Sequence, residues 1–416
     1  MRFKDISILN PQYKGLPIDG DVSFVPMEAL RYGKIDLQEI PYSEGKGKYT
    51  YFANGDLLIA KVTPCFENGN IAIANNLKEG IGFGSSEIFV LRMNKNVLNT
   101  YMFYVVQTDQ FKDSACATMC GVGGLKRISP LFMRTYEIAI PSLTKQQQIV
   151  NYLDEKTSSI DKQIELLDKK QKLYARLKTA TINHAVTRGL EENVKLKDSG
   201  VDWIGMIPEH WKRYRLKDLG YLYGGLTGKS GDDFRCDDET KTKPYVPFTN
   251  VLNNTVIDNG NFHYVVMSED EQQNKVKAFD LLFLMSSEDY DSIAKSAVVL
   301  GEPGEVYLNS FCRGYRITNK ECYAPFINYQ LNSEKYRDAL RYEARGFTRI
   351  NIKIDRVASQ FVSIPSYIEQ QVIASYLDER CAKIDAAIAI IDKQIKALNK
   401  LKRSLINEVV TGKRAV

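Results

Sequence analysis

Five basic side chains in turn-rich stretches, Lys126, Arg127, Arg345, Arg349 and Lys353, are the residues of this chain best suited to meeting an anion. An ammonium or guanidinium there can bind phosphate oxygens, and a guanidinium can also donate two hydrogen bonds to the O6/N7 edge of guanine. Twenty-four tyrosines supply aromatic neighbours for such groups. An arginine beside an aromatic also serves as a packing or salt-bridge residue, and both readings stand at each position. Arg127 and Arg349 gain weight because Gly124-Leu125-Lys126-Arg127-Ile128 and Gly346-Phe347-Thr348-Arg349-Ile350 put them at equivalent places in two halves of the chain.

Other chemistries find no residues to carry them. Methyl transfer to a base amine needs an Asn/Asp-Pro-Pro-aromatic loop, and no Pro-Pro occurs; none of the 13 prolines precedes Asp, which removes the nuclease signature that begins Pro-Asp. Gly224-Gly225-Leu226-Thr227-Gly228-Lys229-Ser230 falls one residue short of a phosphate-binding loop. The histidines are His184, His210 and His263, and no Cys-x2-Cys pair exists, so the usual zinc spacing is missing and no metal is expected. No catalytic site can be assembled from what remains.

Composition fits that picture. The 416 residues suffice for two or three domains. With 56 basic against 51 acidic side chains, the net charge of +5 is too small to indicate nucleic-acid binding by itself, so any basic patch is local. No uncharged apolar run approaches the length of a membrane span, so no membrane association is expected. Seven scattered cysteines and no charged-then-apolar leader point to reduced thiols and a cytoplasmic protein.

The elements that must position the basic residues are written twice. Residues 140–187 and 364–411 align without a gap at an offset of 224: Pro141 with Pro365, Gln146-Gln147 with Gln370-Gln371, Tyr152-Leu153-Asp154-Glu155 with Tyr376-Leu377-Asp378-Glu379. Upstream, Asp56-Leu57-Leu58 answers to Asp280-Leu281-Leu282, and Arg2-Phe3-Lys4-Asp5-Ile6 to Arg215-Leu216-Lys217-Asp218-Leu219. Two copies are too few for a solenoid and suit a fused, pseudo-two-fold body.

Each repeated segment opens at Pro-Ser, runs without Gly or Pro, and closes at Gly189 or Gly412, which are helix start and stop signals. Ser366 with Glu369 fits a capping box, whereas the first copy has Lys145 in that place and can cap only through Ser142 or Thr144. Leu377, Ile384, Ile391, Leu398 and Leu405 recur at sevens with Ile388 and Ile395 between them, and Leu153, Ile160, Leu167 and Tyr174 do so with Ile164 interposed, a coiled-coil seam. Such a helix is roughly 65 Å long and needs a long partner. Either each packs on its own globular region, or the two pair antiparallel as a spacer of fixed length. They carry 9 basic against 5 acidic and 9 against 6 side chains, which suits a solvated face or a surface for phosphates or acidic partners.

Between the helices, runs such as Asp56–Val62, Glu87–Leu91 and Lys295–Leu300 predict strands, and Met102–Lys112 and Phe326–Arg341 predict helical patches. The fold class is therefore α+β.

Taken together, these residues resemble the specificity (S) subunit of type I restriction-modification systems. The resemblance covers essentially the whole chain and rests on motifs weak alone and specific in their order: Ser23-Phe24-Val25-Pro26-Met27, Lys61-Val62-Thr63-Pro64-Cys65-Phe66-Glu67-Asn68-Gly69, Ile204-Gly205-Met206-Ile207-Pro208-Glu209-His210-Trp211, and the duplicated Gln-Gln-x-Ile-x-x-Tyr-Leu-Asp-Glu helix starts. It implies two target-recognition domains, at 1–140 and 212–363, separated by two long antiparallel coiled-coil helices at 141–190 and 364–416, with a linker and lead-in at 191–211. It further implies that each domain reads half of a bipartite, asymmetric target in double-stranded DNA, and that the paired helices fix the gap. The helices would also dock methylation (M) subunits, two in number, and through them restriction (R) subunits. The S subunit itself would use no cofactor. A standalone bipartite DNA-binding regulator and an enzyme with an unfamiliar site are the alternatives. The lead-in occurs before the second half only, which points to a start further upstream or to a shortened or recombined allele.

Overall fold

A computed structural model of the chain describes residues 1–121, 124–235, 241–268 and 270–416, so Cys236, one of the seven cysteines, lies outside the described residues. The chain divides into two compact units, Met1–Asp168 with Ile391–Val416, and Lys169–Ile390, and the division falls inside each long helix.

In the first unit, the strands Ser7–Leu9, Ile88–Met93, Leu57–Ala60 and Ile71–Ile73 lie side by side in that order, all antiparallel. Leu57–Ala60 is apolar at every position and buried throughout, as expected of a strand covered on both faces. A second sheet has the order Gln38–Pro41, Asp21–Val25, Ile81–Gly84, Thr50–Ala53, with Asp21–Val25 parallel to Ile81–Gly84. The second unit repeats the plan: Gly220–Gly224, Cys312–Ile317, Leu281–Leu284 and Ser296–Val298 form the first sheet. His263–Val266, Thr242–Val246 and Tyr307–Leu308 form the other, again with a parallel pair.

The two expected helical patches are each broken into two helices, Asn99–Val105 with Asp109–Ala117 and Ala324–Asn332 with Glu334–Glu343. Apolar periodicity runs across the breaks, but Thr108 and Ser333 take extended backbone angles as N-caps, which stops the helix before each.

The long helices are Leu143–Arg188 and Tyr367–Val410. Ser142 Oγ accepts from Lys145 N at 3.4 Å and Ser366 Oγ from Glu369 N at 3.3 Å. The expected reciprocal half of a capping box is absent, because the Glu369 carboxylate turns to Trp211 Nε1 (3.0 Å) and His210 Nε2 (2.9 Å). The lead-in motif thereby clamps onto the helix start, with Trp211 fully buried. Gly189 and Gly412 end the helices at φ of 76° and 74°, a conformation that suits glycine at a C-terminal stop.

Helix pairing is antiparallel within each unit. In the first, Lys402 Nζ donates to both carboxylate oxygens of Asp161 at 2.7 Å, and Lys145 Nζ reaches the Val416 carbonyl at 2.6 Å. In the second, Lys178 Nζ donates to Asp385 at 2.7 Å, the repeat-equivalent bridge with the roles exchanged between helices. Leu153, Ile160 and Leu405 are buried in one core with Phe3, Phe66 and Phe89; Leu377 is buried in another with Ala185, Val186 and Trp211. Each helix therefore packs on its preceding globular region and on its partner as well. Ile384 and Ile391 are also buried, while Ile164, Leu167, Tyr174, Ile388, Ile395 and Leu398 are half-buried.

Candidate nucleic-acid interface

In the first unit the strand Leu57–Ala60 leads into the Lys61–Gly69 segment, and a hairpin closed between Cys120 and Arg127 docks on it. Thr63 makes the dock: its N–H donates to the Lys126 carbonyl at 2.9 Å, its hydroxyl accepts from Lys126 N at 2.9 Å and donates to the Gly124 carbonyl at 2.8 Å. Ile128, buried, anchors the exit by donating its N–H to the Lys61 carbonyl at 2.9 Å. Lys126 and Arg127 are left exposed on the hairpin. Arg127 then closes a bidentate pair with Glu87, Nε to Oε2 at 2.9 Å and Nη2 to Oε1 at 3.0 Å, and those hydrogen bonds hold its guanidinium above the ordinary arginine value.

The second unit builds the same device from different side chains. Ser286–Ser287 pairs with Ile350–Asn351, Arg345 and Asn351 exchange backbone hydrogen bonds at 2.9 Å, and Ile352 N donates to the Met285 carbonyl at 3.1 Å. Arg345, exposed, folds back on its own backbone, donating Nη1 to the carbonyls of Tyr342 and Ala344 with its guanidinium 5.9 Å from the Tyr342 ring centre. Arg349 stacks on Phe311, 4.4 Å from guanidinium to ring centre. Lys353, also exposed, precedes the short helix Ile354–Ala358 and caps it through its backbone carbonyl. Phe347 at the hairpin tip is fully exposed, and Tyr342 is exposed beside it.

Lys126 and Arg127 thus share one hairpin, and Arg345 and Arg349 share the corresponding one, with Lys353 two residues beyond it. One correction concerns the arginines. The backbone equivalent of Arg127, paired across from Val62, is Asn351, paired across from Ser286; Arg349 lies two residues earlier, in the bend just before the strand Ile350–Asn351. Arg127 nonetheless meets Glu87 in one unit, and Arg349 meets Phe311 in the other. Those two positions are themselves equivalent, since Lys61 N donates to the Glu87 carbonyl at 3.0 Å and Met285 N to the Phe311 carbonyl at 3.1 Å.

Elsewhere the scaffold is nearly identical in the two units. Asp56 accepts from Arg92 Nε and Nη2 at 2.8 and 2.7 Å, and Asp280 from Arg316 Nε and Nη2 at 3.0 and 2.7 Å, both carboxylates being buried. Tyr104 donates to Asp154 and Tyr329 to Asp378, each at 2.6 Å, and burial followed by that hydrogen bond pushes both phenols well above their ordinary range. The four aspartates fall in the repeated motifs, whereas Arg92, Arg316, Tyr104, Tyr329, Glu87 and Phe311 are marked by none; an offset of 224, or 225 for the tyrosines, carried upstream of the helices, is the signal that connects them. Lys229, in the loop that imitates a phosphate binder, is occupied by an ion pair with Glu271. Among the described residues, no group of three or more His, Cys, Asp or Glu side chains could hold a metal ion, and no helix is long and apolar enough to cross a membrane.

The family model of the type I restriction modification DNA specificity domain matches residues 19–172 and 208–400. The chain belongs to this family. The specificity subunit of the type I restriction enzyme EcoAI from Escherichia coli is 34% identical over 149 residues, and the match spans 35% of this chain and 25% of that protein. The putative MjaX specificity subunit of Methanocaldococcus jannaschii is 24% identical over 400 residues, 93% of this chain and 86% of the relative. In fold, the chain is similar to a subunit from a structure of an assembled type I R-M system, with a TM-score of 0.74 at 14% identity over 99% and 96% of the two chains. The HsdS subunit of Thermoanaerobacter tengcongensis gives a TM-score of 0.55 at 15% identity, covering 100% of this chain and 96% of that one. Both matches of the specificity-domain model include the hairpin-bearing region of their unit and the start of its long helix.

Proposed function

We propose that this chain is the DNA-reading subunit of a type I restriction-modification complex, without a catalytic site of its own. Each globular region reads one half of a bipartite, asymmetric sequence in double-stranded DNA, and the paired helices fix the gap between the halves. The observation that carries this reading is a conserved scaffold under divergent readers: the Asp–Arg, Tyr–Asp and Lys–Asp contacts recur in both units, while the exposed hairpins present Arg127 with Glu87 in one and Arg349 with Phe311 in the other. Unlike readers on like frames produce unlike half-sites, as symmetric frames produce symmetric ones.

The helices also offer two equivalent docking faces for methylation subunits, and restriction subunits would join through them. Leu166 and Leu401 are exposed in the first unit and line a groove of about 570 Å³ with Leu167, Ala397 and Leu398. Their repeat equivalents, Ile390 and Leu177, are exposed in the second. Exposed leucines in register on a helix face suit a helical partner. Any cofactor belongs to those partners, and the complex works in the cytoplasm.

The test is to purify the chain alone and together with a methylation subunit from the same system. The mixture should methylate adenine at a gapped, asymmetric motif and weigh as one chain with two methylation subunits; the chain alone should do nothing. Methylation or cleavage by the isolated chain would overturn the reading.

A further inference from the structure

We infer that Glu87 and Phe311 are positioning residues that hold Arg127 and Arg349 as guanine readers, so that each half of the target contains a guanine contacted end-on by one of these arginines. This deepens the proposed function and rests on it. Arg127 meets Glu87 through Nε and Nη2, the side edge of the guanidinium. The end edge, one hydrogen of Nη1 beside the second hydrogen of Nη2, is left to a ligand, and two parallel donors there match guanine O6 and N7. A free arginine has several rotatable bonds to immobilise on binding; the carboxylate fixes its plane beforehand, which lowers the entropy lost at contact.

Arg349 reaches the same condition by another route. Its guanidinium lies 4.4 Å from the Phe311 ring centre and hydrogen-bonds to no described residue, so the ring fixes the plane by stacking and every N–H remains available at its edge. Equivalent backbone positions thus supply a carboxylate in one unit and an aromatic face in the other. Arg345 differs, because its Nη1 is committed to two backbone carbonyls of its own chain.

The two supports also predict unlike electrostatics. Glu87 neutralises most of the charge of Arg127, so that arginine discriminates between bases with little attraction for phosphate, whereas Arg349 keeps its full charge. Removing Arg349 should flatten the salt dependence of DNA binding more than removing Arg127 does.

The experiment uses the full chain with its methylation subunits and maps methylation over a randomised plasmid library, for the wild type and for Glu87→Ala, Arg127→Lys, Phe311→Leu, Arg349→Lys and Phe311→Tyr. All four positions are part-exposed, and the half-site read by the untouched unit is an internal control for folding. Glu87→Ala and Arg127→Lys should relax the same guanine in one half-site, and Phe311→Leu and Arg349→Lys the same guanine in the other. The preference for guanine should fall roughly 5- to 150-fold in each case, and Phe311→Tyr, which keeps the ring, should retain it. Replacing that guanine by 7-deazaguanine should weaken the wild type more than the matching lysine variant, whose ammonium lacks the fixed bidentate fork. A half-site without guanine, a supporting-residue variant that relaxes a different position, or a uniform loss with an unchanged motif overturns the inference while the gapped motif stands. A wild-type complex with no gapped motif overturns the functional reading instead, and the inference with it.

Discussion

Asp280 is buried among four donors: Arg316 Nε and Nη2, the Tyr223 hydroxyl at 2.6 Å and Lys277 N at 2.8 Å. Asp56 holds three in the other unit, Arg92 Nε and Nη2 and Ala53 N at 2.8 Å. Removing one partner of a buried ion pair strands the other, and such losses run to about 3–5 kcal/mol. Asp280→Ala should therefore lower stability by that amount in urea denaturation, with Asp56→Ala somewhat milder because it strands fewer groups; a loss under about 1 kcal/mol for Asp280→Ala would mean that water reaches the arginine and replaces the carboxylate. The sequence made the equivalence of these aspartates visible and left their role hidden. A carboxylate at a strand entrance reads as a turn residue, and its arginine lies 36 positions away in both units. The same limit applied to Arg127, whose exposure was legible in a Gly-rich turn, whereas Glu87, 40 positions distant, was not. The two-residue displacement of Arg349 was concealed too, since the matching pentapeptides suggest a register that the strand pairing does not follow.

At the scale of elements, the long helices were the most legible part of the chain, because their heptads, caps and stops are all local signals. How they are tied to the globular regions was not. Gln370, fully buried, donates Nε2 to the carbonyls of Glu321 (2.7 Å) and Pro365 (3.0 Å) and accepts from Tyr323 N at 2.8 Å. Gln146 does the same with Asn96 (3.1 Å), Pro141 (2.9 Å) and Leu98 N (2.8 Å). The duplicated Gln-Gln of the sequence is thus a staple between a helix start and a loop 47 or 48 residues earlier. Each buried group left unpaired costs about 1–3 kcal/mol. Gln370→Leu should destabilise the second unit by at least that much and should release the Tyr323 amide to rapid hydrogen exchange, with Leu98 the corresponding probe for Gln146→Leu. Retained protection at Tyr323 would show that the loop is held by other contacts. The asparagines at the far helix ends act likewise: Asn407 Oδ1 accepts from Asp109 N at 2.7 Å and Asn183 Oδ1 from Glu334 N at 3.0 Å, so each caps a short helix.

At the scale of the molecule, the proposed spacer makes a claim about length that can be separated from any claim about recognition. The division between units falls within residues 168–169 and 390–391, away from the glutamine staples and from the asparagine caps. Inserting one heptad into each helix at these points preserves the 3.5-residue seam and adds roughly 10 Å to both helices. It also leaves the Lys402–Asp161 and Lys178–Asp385 bridges in place, because each lies wholly on one side of the insertions. B-form DNA rises about 3.4 Å per base pair along each strand, so the unspecified gap should lengthen by about three base pairs while both half-site sequences stay as they were. A methylation map of cells carrying the lengthened chain reads the gap and the half-sites together. Inserting the heptad into one helix alone should abolish methylation, because the lengthened helix must loop out or slip against a partner of unchanged length. A gap that stays constant when both helices grow, or half-sites that change with it, would mean that the distance between readers is set by something other than the helix pair.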